Sequence, residues 1–322
     1  MTRIGVIGAG RMGRPMVRRL AEAGHEVRVL GRSAEARDAL GREPARVVSE
    51  TEDVGEGADA VLICVHTDDQ VREVCLDSRL LAAMPSGAVL VVHTTGSPHT
   101  VEAIAARGAS RGIEVIDAPV SGGPPDVEAG RVTLFVGGAD DTVTRVRPLL
   151  RSYGDPVLHI GPLGSGQRAK LVNNAVFAAQ IGLLSHAARL GRQLGVDETV
   201  LLTALTHGSA ASRALAGVVR RGSVTEFARA TAEFLGKDLD VVRTVAGELG
   251  GVLGVLAPAL DALSEATAPT HAGDATAPTS AGDATAPTRR RDATAPTPAG
   301  PPTGAGRTAT QTREKGTTNG TS

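Results

Sequence analysis

Aromatic side chains are almost missing from this chain, whose 322 residues include no Trp, one Tyr and four Phe. Its cores must therefore be filled by Ala, Val, Leu and Ile, which can still pack completely. Cysteine is equally scarce: Cys64 and Cys75 lack the spacing of a zinc site and read as small core hydrophobes in a reducing compartment. The net charge of -1 offers no basic excess for nucleic acid or an anionic membrane. No run of 18 apolar residues is present to span a bilayer, and the opening "MTRIGVIGAG" reaches a glycine loop too soon for a signal peptide. These absences predict a soluble cytoplasmic protein with neither nucleic acid nor membrane as partner.

Lysine and asparagine are the least expected shortages. Among 34 basic side chains only Lys170, Lys237 and Lys315 are lysines, and two of the three asparagines, Asn173 and Asn174, follow the first of them.

What is present falls into three parts. Over residues 1–163, short β-branched runs ("RIGVIG", "EVRVLG", "DAVLICV", "AVLVVHT", "IEVIDAP", "VTLFVGG", "PVLHIG") alternate with amphipathic helical stretches. That alternation predicts a doubly wound, mostly parallel α/β sheet. Residues 164–265 carry no strand signal and read as an all-α domain, opening with one long helix over "QRAKLVNNAVFAAQIGLLSHAARLGRQLG". Residues 266–322 contain "ATAPT" four times at nine-residue spacing and offer only Ala, Thr and Pro for burial, so they read as a disordered low-complexity tail.

"GVIGAGRMG" sets Gly8, Gly10 and Gly13 in a G-x-G-x-x-G pattern after the first strand, with Arg11 and Met12 completing the turn into a helix. Such a loop lets a pyrophosphate approach the backbone and rest on the helix N-terminus. At the end of the second strand, where NAD sites usually carry a carboxylate, stand Gly31, Arg32 and Ser33. A guanidinium there pairs with a 2′-phosphate, which predicts NADP(H) in preference to NAD(H).

The stretch "GSGQRAKLVNN" puts Lys170 and Asn174 four residues apart, on one helix face behind bare glycines. Arginine cannot move a proton at neutral pH, whereas a buried lysine can. A chain drifted towards Arg therefore keeps Lys where a titratable ammonium is needed. "DAPVSGGPPDVEAG" offers Ser121 and the Gly122–Gly123 pair as a cradle for a carboxylate.

Four segments, "GVIGAGRMGRPMVRRLAEAGHEVRVLGR", "DAPVSGG", "GSGQRAKLVNN" and "GKDLDVV", together resemble the signature segments of the β-hydroxyacid dehydrogenase family. The resemblance spans about residues 3–260. It implies a Rossmann domain followed by a helical domain, in homodimers or homotetramers. It also implies Lys170 as general acid/base, with Asn174 holding the substrate and Ser121, Gly122 and Gly123 binding its carboxylate. Lys237 would lie near both substrate and nicotinamide, and Thr95 would touch the cofactor. His186 and His66 fall where relatives differ. The repeat begins about thirty residues after Lys237, which predicts a shortened helical domain.

The resulting expectation is an NADP(H)-dependent oxidoreductase interconverting a short 3-hydroxy acid with its semialdehyde or oxo acid. Two alternatives are an imine reductase-like enzyme, in which Asp or Tyr usually stands at the place of Lys170, and a non-catalytic dinucleotide-binding interaction protein.

Overall fold

A computed structural model describes residues 2–267. The repeat tail beyond Thr267, and with it the reading of that tail as disordered, lies outside the described residues. In chain order the elements begin β1 (Arg3–Ile7), α1 (Gly13–Glu22), β2 (Glu26–Leu30), α2 (Ala34–Leu40), β3 (Arg46–Val48), α3 (Thr51–Gly55), β4 (Ala60–Ile63) and α4 (Asp68–Arg72). After a π-helical turn over Glu73–Asp77 come α5 (Leu80–Ala83), β5 (Val89–Val92), α6 (Pro98–Ala109), β6 (Glu114–Asp117), β7 (Val120–Ser121), α7 (Pro124–Glu128), β8 (Val132–Gly137), α8 (Asp140–Leu150) and β9 (Gly154–Gly161). Five helices follow: α9 (Ser165–Gln193), α10 (Glu198–Thr206), α11 (Arg213–Arg221), α12 (Val224–Glu248) and α13 (Leu256–Thr267).

The sheet runs β3-β2-β1-β4-β5-β6-β8-β7 and is parallel through β6; β8 turns antiparallel, and β9 pairs with it. Strand sides alternate, as a period of two requires. Ile4, Val6, Leu62 and Val91 enter one core, while Ile7, Val61, Ile63 and Leu90 enter the other. Because both faces of β4 and β5 are covered, every residue of those strands is buried. The seven expected strands are present. Two more, β3 and β7, are only three and two residues long, too short to display a periodic signal.

β1 lies between β2 and β4, so the crossovers from it depart in opposite directions and leave a crevice at the strands' carboxyl ends. The long helix α9 is docked to that edge at its first turn. Both oxygens of the fully buried Asp117, at the end of β6, accept backbone N–H groups: Gly164 at 2.7 Å and Gln167 at 2.6 Å. The Gln167 side chain in turn donates to the Thr94 carbonyl (2.8 Å) and accepts from Gly96 N–H (3.0 Å). Gly166 permits this approach, since a Cβ there would sit 2.3 Å from the Phe135 carbonyl. Further along, α9 packs on α12 and α13, and Gly182 lets the α13 backbone come close.

Burial raises the Asp117 pKa to about 6, while the N–H donors work in the opposite direction. Asp117→Asn keeps the volume but turns one acceptor into a donor facing an N–H. It is expected to lower stability by about 1–3 kcal/mol in urea unfolding of the full chain. An unchanged midpoint at unchanged slope would show that the clamp contributes nothing.

Candidate active site

The three glycines of the first loop are required for three different reasons. Gly8 has φ 101°, and a Cβ on it would lie 2.2 Å from the Cys64 carbonyl oxygen. At Gly13 a Cβ would meet the Gly8 carbonyl oxygen at 2.1 Å, so the start of α1 can pack this tightly only without a side chain. Gly10 faces open space, with nothing within 4 Å of a Cβ position. The backbone is therefore bare on the side from which a pyrophosphate comes. Met12, the N-cap of α1, makes no side-chain cap bond, and the first turn has no acidic residue; the Arg14 N–H donates to the Gly10 carbonyl at 3.0 Å, and the positive end of the helix dipole favours an anion here. Arg11 is exposed on this turn, and Met12 packs partly against the core.

Beside the loop lies a cleft of about 500 Å³ whose lining includes Gly8, Gly10, Arg14, Arg32, Ser33 and His66. Leu30, Ala36 and Leu40 give it an apolar wall. Ser33 also N-caps α2, its Oγ accepting from Ala36 N–H at 3.2 Å. Arg37 turns back to donate to the Gly31 carbonyl (3.1 Å), so of this pair Arg32 is the one that lines the cleft. Bare backbone at Gly10, an uncapped helix and an apolar wall fit a dinucleotide.

The loop after β5 ties the edge together. Thr94 Oγ1 accepts from Val65 N–H and donates to the Val65 carbonyl, each at 3.0 Å. Buried His93 spans the Ala118 carbonyl (2.7 Å) and Tyr153 Oη (2.8 Å), and burial lowers its pKa to about 4, so it is neutral. The carbonyl of Thr95 accepts from Lys237 Nζ at 3.2 Å, joining α12 to the loop.

Lys170 lies one turn beyond the Asp117 clamp on α9. It is buried, and its pKa is lowered to about 8. Desolvation is the main cause; Lys237 lowers it further, while Asp238 opposes both. Asp238 accepts from Asn174 Nδ2 through Oδ2 (2.6 Å) and lies 2.7 Å from Lys237 Nζ through Oδ1. Asn173 donates to Asn174 Oδ1 at 3.1 Å. The asparagines beside Lys170 thus have a hydrogen-bonding reason: they carry the network from α9 to the α12 carboxylate. Asp238 was not singled out from the sequence, although it adjoins Lys237 in "GKDLDVV".

The glycine pair is more committed than its sequence suggests. Gly122 takes φ 137°, but the Gly123 N–H already donates to Asp126 Oδ2 at 2.8 Å as part of the start of α7. That cap was readable from Gly-Pro-Pro-Asp. Ser121 is half-buried and pairs with Thr133 across β7 and β8. His186 is exposed on α9, with Arg189 Nη2 2.8 Å from its Nδ1. Among the described residues no cluster of His, Cys, Asp and Glu could hold a metal, and no helix is long and apolar enough to cross a membrane.

Residues 3–161 match the NAD-binding domain of 6-phosphogluconate dehydrogenase, and residues 164–280 match the NAD-binding region of NADP-dependent 3-hydroxyisobutyrate dehydrogenase. Two proteins of Pseudomonas aeruginosa, a 3-hydroxyisobutyrate dehydrogenase and an NAD-dependent L-serine dehydrogenase, are each 33% identical over 216 residues. Those matches cover 67% of this chain and 72% of each relative. The solved 3-hydroxyisobutyrate dehydrogenase of Mycobacterium tuberculosis, with L-serine, superposes with a TM-score of 0.74 at 27% identity. That superposition covers 82% of this chain and 93% of that one.

Gly10→Ala is expected to leave thermal unfolding unmoved while weakening dinucleotide binding. Gly13→Ala should lose both, at a stability cost of about 1–3 kcal/mol. Calorimetric titration with NADP+ and NAD+, beside a thermal melt, separates the two. Undiminished binding by Gly10→Ala would remove the loop from the cofactor site.

Proposed function

The chain belongs to the β-hydroxyacid dehydrogenase family, a nicotinamide-dependent oxidoreductase acting on CH–OH groups, and from that premise we propose that it interconverts a short 3-hydroxy acid and its semialdehyde or oxo acid with NADP(H). The observation that carries the reading is the buried Lys170, held at a pKa of about 8 beside Lys237, Asp238 and Asn174. When bound, the nicotinamide supplies or receives the hydride. Charged Lys170 gives a proton to the substrate oxygen during reduction. Neutral Lys170 takes the hydroxyl proton during oxidation.

Asn174 orients that oxygen, and Ser121, Gly122 and Gly123 receive the substrate carboxylate, for which the Gly123 N–H has to exchange Asp126 for the ligand. Lys237, fixed by the Thr95 carbonyl and Asp238, helps keep Lys170 deprotonable, and in this reading it serves both substrate and cofactor. Thr95 places the loop against the nicotinamide, while Gly8, Gly10, Arg11, Met12 and Gly13 hold the pyrophosphate. Arg32 and Ser33 favour the 2′-phosphate, with NAD(H) the weaker ligand.

A homo-oligomer is part of the proposal. Val172, Val176, Leu183 and Leu190 on α9, with Leu194 at its C-cap, form one exposed stripe, and an apolar stripe at helical spacing is made to be covered. A purely binding role is disfavoured by the cost of burying Lys170: a site that moves no proton has no need of a desolvated lysine.

The test is NADPH and NADH oxidation measured side by side against small semialdehydes, 3-oxo acids and a cyclic imine. The proposal expects NADPH-dependent turnover of a carboxylated carbonyl. Turnover of the imine alone would replace this reading with the imine reductase one. Lys170→Ala is expected to lose about 10²–10⁴-fold in kcat with cofactor affinity kept, and Lys170→Arg to fare no better, because it keeps charge without proton transfer. Near-normal turnover by Lys170→Arg would defeat the acid/base role.

A further inference from the structure

We infer that Arg14 is a second specificity-determining cation for the 2′-phosphate of the cofactor, acting with Arg32 from the lining of the same cleft. The inference rests on the NADP(H) reading and adds a residue that the glycine pattern and the strand-end rule both overlook. Arg14 is the residue after Gly13, on the first turn of α1. Its side chain lines the dinucleotide cleft together with Arg32, Ser33, Ala36 and Leu40, all at or beyond the end of β2. It also lines an adjoining depression with Arg18, Asp38, Arg42 and Glu43. Arg14 therefore stands at the β2–α2 end of the crevice, where Arg32 lies.

Its charge is only loosely committed, in contrast to several other arginines of the chain. Arg18 grips the buried Glu43 carboxylate with two hydrogen bonds of 2.6 and 2.8 Å. Arg145, Arg168 and Arg192 likewise approach carboxylates to 2.6, 3.0 and 2.8 Å. Arg14 faces the same Glu43, yet its Nε stops at 3.7 Å, and that buried Nε has no hydrogen-bond partner. Its side chain remains 39% exposed.

The local charge count explains the use. Arg18 holds Glu43 most tightly, and the lining of the cleft itself contains Arg14 and Arg32 and no carboxylate, while Glu22, Asp38 and Glu43 line the adjoining depression. A phosphate monoester carries about -1.5 to -2 at neutral pH, and a guanidinium meets it with a planar fork of donors. Glu43 then acts as a backstop that holds the arginine stem without saturating it.

The experiment is calorimetric titration of the wild type, Arg14→Met, Arg32→Met and the double variant with NADP+ and with NAD+, with thermal melts as the check on folding. Arg14→Met is expected to weaken NADP+ about 10- to 100-fold, in the range of a charge-assisted hydrogen bond, with NAD+ changed by less than about twofold. The double variant should bind the two cofactors alike. Arg14→Lys, which keeps a point charge, should fall between wild type and Arg14→Met and serves if Arg14→Met melts early.

Equal weakening of NADP+ and NAD+ would assign Arg14 to the pyrophosphate and overturn the inference, as would an unchanged ratio. If the wild type itself binds the two equally, the NADP(H) reading fails together with the inference built on it. A wild type that prefers NADP+ and loses the preference only in Arg32→Met keeps the reading and sinks the Arg14 claim alone.

Discussion

The arrangement depends on one buried carboxylate. Asp117 closes β6 and accepts the backbone N–H groups of Gly164 and Gln167, fixing the first turn of α9 to the carboxyl edge of the sheet. Four unsatisfied N–H groups are the ordinary condition of a helix start, and here two are satisfied by a side chain about fifty residues earlier in sequence. The helix so anchored carries Lys170 one turn later and then becomes the central strut of the helical region. Because the same edge carries the glycine loop, Lys170 and that loop share one rigid reference.

On that reference the chain sets its charges with little redundancy. Desolvation, with Lys237 adding to it, makes the Lys170 ammonium unfavourable, and a carboxylate in direct contact would oppose both. Asp238 is instead occupied by Asn174 and Lys237. Its stabilising effect on Lys170 is therefore shared, and the lysine stays near the range in which it can both give and take a proton. Lys237 is held in turn by the Thr95 carbonyl, linking that balance to the β5 loop.

Much of this was legible in the sequence, for identifiable reasons. Gly8 and Gly13 were readable because no other residue fits their turn, and Lys170 because an Arg-rich chain has kept a lysine there. The long helix was readable from its period, and the parallel strands from their unbroken β-branched runs. What stayed hidden depends on distance. Asp117, Gln167 and Asp238 were not singled out, because their partners lie 47 to 73 positions away in sequence. Arg14 was hidden for a different reason, as one arginine among many, set apart by its place in the lining of the cleft. The Gly123 N–H was overread as free because its occupant, Asp126, sits in a local helix cap that the glycine pair drew attention from.

The most direct test of the account is the pH dependence of kcat/KM for hydroxy-acid oxidation, in the wild type and in Lys237→Met. Oxidation needs neutral Lys170, so the account predicts a rate that rises about tenfold per pH unit below the lysine's pKa of about 8 and then levels. Removing the neighbouring cation should move that limb to higher pH, because Lys237 is one of the groups holding Lys170 down. A flat profile between pH 6.5 and 9.5, or a limb that stays in place when Lys237 is replaced, would contradict the claim that this lysine performs the proton transfer.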